Sequence, residues 1–187
     1  MDHVLETERL ILRPFTEDDV TLINRLYSDP EIMKYMPFDT ESMDDSREHL
    51  RRILEGWKAD PVLNYEFAVL KKDTLEGIGR AHIQIDTETD TGMIGWLLIE
   101  DEWGRGYATE MTEALIRYSF EALDLHRVNA LCNPDNARSR KVLSKFMRQE
   151  AHYREKVRYT KGGKVSWEDE AEYALLRSEY RNLPFKK

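Results

Sequence analysis

The sequence predicts one α+β domain, and three features point to it. After a first strand come apolar stripes at helical spacing, extended segments dominate the middle, and a hairpin-type turn lies near the end. A nearly all-apolar run, Met93 to Ile99, is joined by a glycine turn to the clearest amphipathic helix. At 187 residues the chain suits a single core, and residues 1–187 read as that one domain, with no repeat, low-complexity tract or linker.

The elements follow in order. Glu8 to Phe15 partly alternates, with Leu10 and Leu12 on one side, and reads as a first strand. Thr16 precedes Glu17-Asp18-Asp19, a helix start favoured by acids at the positive helix end, and Leu22, Ile23, Leu26 and Tyr27 form its apolar stripe. Asp29-Pro30 ends it. Leu50, Ile53, Leu54 and Trp57 mark a second helix. Tyr65 to Leu70 and Ile78 to Ile85 read as strands around a turn at Lys71-Lys72-Asp73. After the acidic turn Asp86 to Asp90, the run from Met93 suits a strand covered on both faces. Met111, Leu115, Tyr118 and Ala122, with Ala108 and Ala114, line the next helix. Val128 to Leu131 is a short strand, and Val142, Leu143 and Phe146 anchor a basic helix. Lys161-Gly162-Gly163-Lys164 turns between extended segments at Arg154–Tyr159 and Glu170–Leu176.

Composition excludes several functions. A single cysteine, Cys132, rules out an internal disulfide and a multi-cysteine metal site, and five scattered histidines show no ligand spacing, so no metal is expected. No apolar stretch nears the roughly 20 residues of a membrane helix, and Met1 to Glu6 carries no signal-peptide pattern, so a cytoplasmic protein away from the membrane is expected. A net charge of −8 argues against nucleic acid as a partner and is compatible with a cationic substrate.

The most informative stretch is Glu100 to Glu110, between the apolar strand and the amphipathic helix. Gly104 and Gly106, one residue apart, permit a tight turn and close approach of a ligand. The helix beyond them presents unpaired N–H groups and a positive dipole end, an anion site suited to a diphosphate. A P-loop is excluded because its Lys and Ser/Thr are missing, and a dinucleotide fingerprint because Thr109 stands where a third small residue is needed.

Trp103-Gly104-Arg105-Gly106-Tyr107-Ala108-Thr109-Glu110 resembles the acetyl-CoA loop of the GNAT superfamily of N-acetyltransferases, most closely the ribosomal-protein alanine N-acetyltransferase branch. Trp103 stands where the loop often has Arg or Gln. Thr7 to Pro14 resembles the branch's opening strand. Leu125 to Val128, Asn133 to Ser139 with Val142-Leu143, and Tyr173 to Leu176 resemble its later segments in the right order. The resemblance implies a mixed, mostly antiparallel central sheet flanked by helices, and acetyl-CoA as co-substrate. It implies that amides from Gly104 to Thr109 (Gly104, Arg105, Gly106, Tyr107, Ala108, Thr109) hold the diphosphate and that the strand end near Leu98 pairs with the pantetheine arm. By the same resemblance Asn136 bonds the arm's amide, and Ser139 protonates the departing thiolate or merely decorates its helix. Arg105, Arg138 and Lys141 meet the adenosine phosphates or form a solvated basic face. Two departures stand out: Lys145-Phe146-Met147 lacks the glycine that caps the family helix, and Met93 replaces an acid common in relatives.

Transfer to an amine requires an uncharged nitrogen, a donor for the oxyanion and a protonated leaving group. Glu66 and His82 are candidate bases between which the sequence does not choose; Glu66 reads as solvent-facing and His82 as a structural histidine. Cys132 reads as a buried thiol without a partner base. The acidic residues Asp39, Glu41, Asp44 and Asp45 either attract a cationic acceptor or are solvated loop charges. The acceptor is an amine, of a small molecule or a protein N-terminus, and the protein a monomer or homodimer. Two other readings stay open: a catalytically silent acyl-CoA sensor, and a structural domain whose glycine turn is coincidental.

Overall fold

The computed structural model describes residues 3–181, so Met1-Asp2 and positions 182–187, part of the expected domain span, lie outside the described residues. Eight strands form one sheet in the order β1-β2-β3-β4-β5-β6-β8-β7. They are β1 (Leu5–Glu6), β2 (Leu10–Pro14), β3 (Asn64–Lys71), β4 (Gly77–Asp86), β5 (Thr91–Leu98), β6 (Arg127–Cys132), β7 (Arg148–Lys161) and β8 (Lys164–Leu176). Only β5 and β6 are parallel; every other neighbouring pair is antiparallel. This is the mixed, mostly antiparallel sheet expected.

The helices are α1 (Val20–Tyr27), α2 (Met43–Gly56), α3 (Tyr107–Glu121), α4 (Ala137–Leu143) and the short α5 (Arg177–Tyr180). Ser42 starts α2 with a capping box, accepting from Asp45 N–H (3.2 Å) while its own N–H reaches the Asp45 carboxylate (3.0 Å). Helices α1 and α2 cover one sheet face: Arg80 of β4 donates to Tyr27 Oη of α1 (2.7 Å), whose ring lies 4.5 Å from His49 of α2. Helix α3 covers the other face, with Tyr118 edge-on to Tyr65 and Phe67 of β3. Leu10, Leu12, Phe67, Ile83, Met111 and Leu115 are fully buried in that core.

The hairpin is longer than its sequence signal, because the stretches the signal missed, 148–153 and 164–169, are mostly exposed and so lack an alternating apolar code. Its turn is as read: Gly162 (φ 54°) and Gly163 (φ 72°) both take the left-handed conformation that a two-residue hairpin loop demands. The missing helix-capping glycine is bypassed without a left-handed residue. Phe146 and Met147 N–H both donate to Leu143 O (3.0 and 2.9 Å), a tightened last turn that leads straight into β7.

Candidate active site

The central cleft arises from a ladder that stops. Strands β5 and β6 pair only at Thr91–Arg127, Gly92–Val128 and Met93–Asn129. Beyond Met93, β5 remains paired to β4 as far as Leu98, but its other edge has no partner strand among the described residues. Ile99 N–H donates to Ile78 O on β4 (3.0 Å), so the alternation of a strand turns the amides of Leu98, Trp96 and Ile94 toward the opening. Met93, Gly95, Trp96 and Leu97 are half-buried, so the strand expected to be covered on both faces is buried only at Thr91, Gly92, Ile94 and Leu98.

At the end of β5 a 3-10 turn, Glu100–Glu102, leads into the glycine loop. Gly104 (φ 77°) and Gly106 (φ 89°) are both left-handed, a conformation that a Cβ disfavours. Gly106 is the N-cap of α3 and has no side chain with which to cap it. The first amide of the helix to bond within it is Glu110 N–H, to Gly106 O (3.2 Å). Helix geometry therefore leaves the amides of Tyr107, Ala108 and Thr109 at its mouth, where the helix dipole is positive.

Trp103 fastens this loop to the strand: its indole N–H donates to Leu98 O (2.9 Å), and the guanidinium of Arg138 on α4 lies 4.4 Å over its ring. Lys145, just past α4, donates to Thr109 Oγ1 (3.0 Å). Arg138 and Lys141 are exposed on the same helix. Arg105 instead folds back to Asp101 O (3.2 Å) and the buried Glu102 (3.3 Å), which makes it a brace of the 3-10 turn. Asn136 is the N-cap of α4, its Oδ1 accepting from Ser139 N–H (3.1 Å) and its side-chain amide left to donate elsewhere.

On the face under α1 and α2 the side chains form a charged network. Arg80 makes a two-pronged ion pair with Glu66 (2.7 and 2.6 Å), and only 13% and 15% of these side chains are exposed. Glu66 is thus not solvent-facing as expected; α1 and α2 roof that face, and a buried arginine claims both its oxygens. His82 stands beside it, and a Cβ at Gly95 would collide with its imidazole. Burial, with Arg80 nearby, pushes its pKa down to about 3, and its Nδ1 meets no partner among the described residues. Cys132 is half-buried, and desolvation raises its thiol to about 11, which leaves it a protonated structural group.

The acidic cluster is dispersed. Asp39 accepts from Gly162 N–H (2.8 Å), Asp44 pairs with Arg47 (2.6 Å), Asp45 caps α2, and Glu41 accepts from Ser46 Oγ (3.2 Å) and bonds His49 (2.9 Å). Its members anchor loops and helices. The connection before α2 is clasped to the hairpin, with Lys161 donating to Met33 O and Lys34 O (2.7 and 2.8 Å). Along the paired stretch of β5 and β6, an open hollow of about 520 Å³ is lined by Gln84, Asp86, Thr91, Met93, Arg127, Asn129 and Glu172 among others.

A family model described as "Acetyltransferase (GNAT) domain" matches residues 9–146. The chain belongs to the GNAT acetyltransferase family. It is 30% identical to the "uncharacterized N-acetyltransferase p20" of Bacillus licheniformis, over 94% of this chain and 97% of that one. A GNAT-family acetyltransferase from Bacillus anthracis shares the fold with a TM-score of 0.81 and 29% identity, covering 94% and 99% of the two chains. The spermidine N-acetyltransferase of Vibrio cholerae, solved with CoA and spermine, also shares it (TM-score 0.78, 20% identity, 92% and 98% covered). The reading as a purely structural domain is thereby set aside.

In this GNAT acetyltransferase, sequence reasoning missed the contacts of Trp103 with Leu98 and Arg138, of Arg80 with Glu66, and of Arg9 with Glu110 (2.7 Å). Trp103 and Glu110 lay inside the recognised loop, and Arg9 inside the recognised opening strand. Nothing local indicates that they touch one another. Among the described residues no group of His, Cys, Asp or Glu is arranged to hold a metal, and no helix is long and apolar enough to cross a membrane.

Proposed function

We propose that this chain transfers the acetyl group of acetyl-CoA to a primary amine, either a protein N-terminal α-amine or a small amine. The observation that carries the reading is the unpaired edge of β5 from Ile94 to Leu98, which runs directly into the left-handed turn at Gly104 and Gly106. An extended amide arm completes such an edge as an added strand, and a diphosphate suits the bare amides at the mouth of α3. In this reading the main chain of Gly104, Arg105, Gly106, Tyr107, Ala108 and Thr109 holds the diphosphate. Asn136 donates its free side-chain amide to the arm, and Arg138 and Lys141 face the adenosine phosphates.

The amine nitrogen bonds to the thioester carbon, whose oxygen gains charge and is met by Leu98 N–H. Leu98 O is already held by Trp103, so at this residue only the N–H serves. The C–S bond then breaks, and the sulfur takes a proton from Ser139. Neither candidate base suits the nitrogen's proton: Glu66 is locked to Arg80, and His82 binds protons only near pH 3. An acceptor already partly neutral at physiological pH needs no proton removed before attack, which favours an α-amine (pKa about 8) over a lysine (about 10.4); the proton the nitrogen sheds after bonding leaves through water, which also restores the one Ser139 gave up. Calorimetric titration with acetyl-CoA, followed by free-thiol release across amines and N-terminal peptides, tests the proposal. Tight binding with no thiol release on any acceptor would replace the enzyme with a sensor.

A further inference from the structure

The glycine loop is braced from outside, by residues about a hundred positions earlier. Glu110 lies in the first turn of α3, and its carboxylate turns back toward the start of the chain. Its Oε1 accepts from Thr7 Oγ1 and from Arg9 N–H (2.8 Å), and its Oε2 accepts from Arg9 Nε (2.7 Å). The same guanidinium then reaches over the loop. Arg9 Nη1 donates to Arg105 O (3.0 Å), the group lies 4.5 Å over the Tyr107 ring, and Nη2 is 3.3 Å from where a Cβ on Gly106 would stand. One side chain thus touches Arg105, Gly106, Tyr107 and Glu110.

The anchor of this brace is rigid. Thr7 and Leu10 close a turn through Thr7 N–H to Leu10 O (3.0 Å) and Leu10 N–H to Thr7 Oγ1 (2.8 Å), and Leu10 and Leu12 are fully buried. The loop itself has two left-handed glycines and no side-chain cap, so little in its own sequence selects one conformation. Charge adds a second requirement. A carboxylate near a site for a diphosphate repels it unless neutralised, and the Arg9 ion pair (2.7 Å) does so.

We propose that Arg9 and Glu110 are positioning residues: paired, they fix the 104–107 turn in its anion-receiving shape without themselves bonding the cofactor. The inference rests on the acetyl-CoA reading of this loop.

Arg9→Ala, Glu110→Gln and the double variant are compared by calorimetry and steady-state kinetics, with thermal melts as the folding control. Each single change should raise Kd and KM for acetyl-CoA about tenfold. The acceptor KM and the kcat at saturating acetyl-CoA should stay within about twofold. The double variant should be no weaker than the weaker single, since both remove one coupled device. Arg9→Lys should recover only part of the loss, because an ammonium cannot reach Glu110 and Arg105 O together. Thr7→Val, which removes the hydroxyl's bonds to Glu110 and to Leu10 but no charge, should show a smaller shift in the same direction. Unchanged acetyl-CoA affinity in folded variants overturns the proposal. So does a loss confined to Arg9 variants with Glu110→Gln unaffected, which would make Arg9 a direct phosphate ligand. A wild-type protein that binds no acetyl-CoA instead brings down the underlying reading, and this one with it.

Discussion

The two sides of the cleft are made of different materials. On the side of the glycine loop, the polar groups left open are main-chain amides, from Ile94, Trp96 and Leu98 on β5 to the mouth of α3. On the side under α1 and α2, they are charged and aromatic side chains locked to one another, Glu66 to Arg80 and Arg80 to Tyr27. Backbone donors need only a conformation, so two glycines and a strand edge suffice to specify them. A side-chain network needs partners from several elements at once, and substitution of one member leaves the others buried and unsatisfied. The first side is therefore sensitive to shape and the second to charge.

The largest effect should come from breaking the charge side. Arg80→Met leaves Glu66 buried without its cation and should destabilise the fold by about 3 kcal/mol, a fall in melting temperature of about 10 °C. Folded Arg80→Met should still bind acetyl-CoA normally if the two sides are separate. The converse is Gly106→Val. It places a Cβ at φ 89° and against Arg9, and should weaken acetyl-CoA binding about a hundredfold, some 2.7 kcal/mol. Calorimetry reads this directly, and undiminished affinity would remove the loop from the site.

The third effect sharpens the charge side by pH. Folded His82 stays neutral down to about pH 3, whereas the unfolded chain's imidazole takes its proton below about 6.5. The unfolded state thus binds more protons as pH falls, and stability drops between pH 6.5 and 3, by about 2 kcal/mol at pH 5. Urea melts at pH 7 and 5 should show a loss smaller by about this amount in His82→Gln than in the wild type, the half-buried His49 adding a loss of the same sign to both; equal losses in both would remove His82 as the cause. The smallest effect is that of Ser139→Ala, expected to lower kcat about tenfold with acetyl-CoA Kd unchanged. Full-speed turnover would take Ser139 out of the reaction.

The same contrast explains what the sequence made legible. Gly104 and Gly106 mark their turn because their residue type is the conformation, and the strands and helices around them carry apolar periods that follow from burial on one face. Glu66 was misplaced because alternation with Tyr65 and Phe67 says only that it faces the other way, not that helices roof that face. Nothing in the apolar run marks Gly95 as the residue that makes room for the His82 imidazole. The four acids before and within α2 looked like a cluster because they are close in sequence, yet each is spent on a different local anchor. Arg9 and Glu110 meet across a hundred residues, and a single sequence carries no sign of such a pairing.

The most direct test is the structure of the protein crystallised with acetyl-CoA. The account requires the diphosphate within hydrogen-bond distance of amides between residues 104 and 109, and the thioester arm extended along Ile94–Leu98. Cofactor bound at another surface, with this turn and strand edge bare, would contradict it.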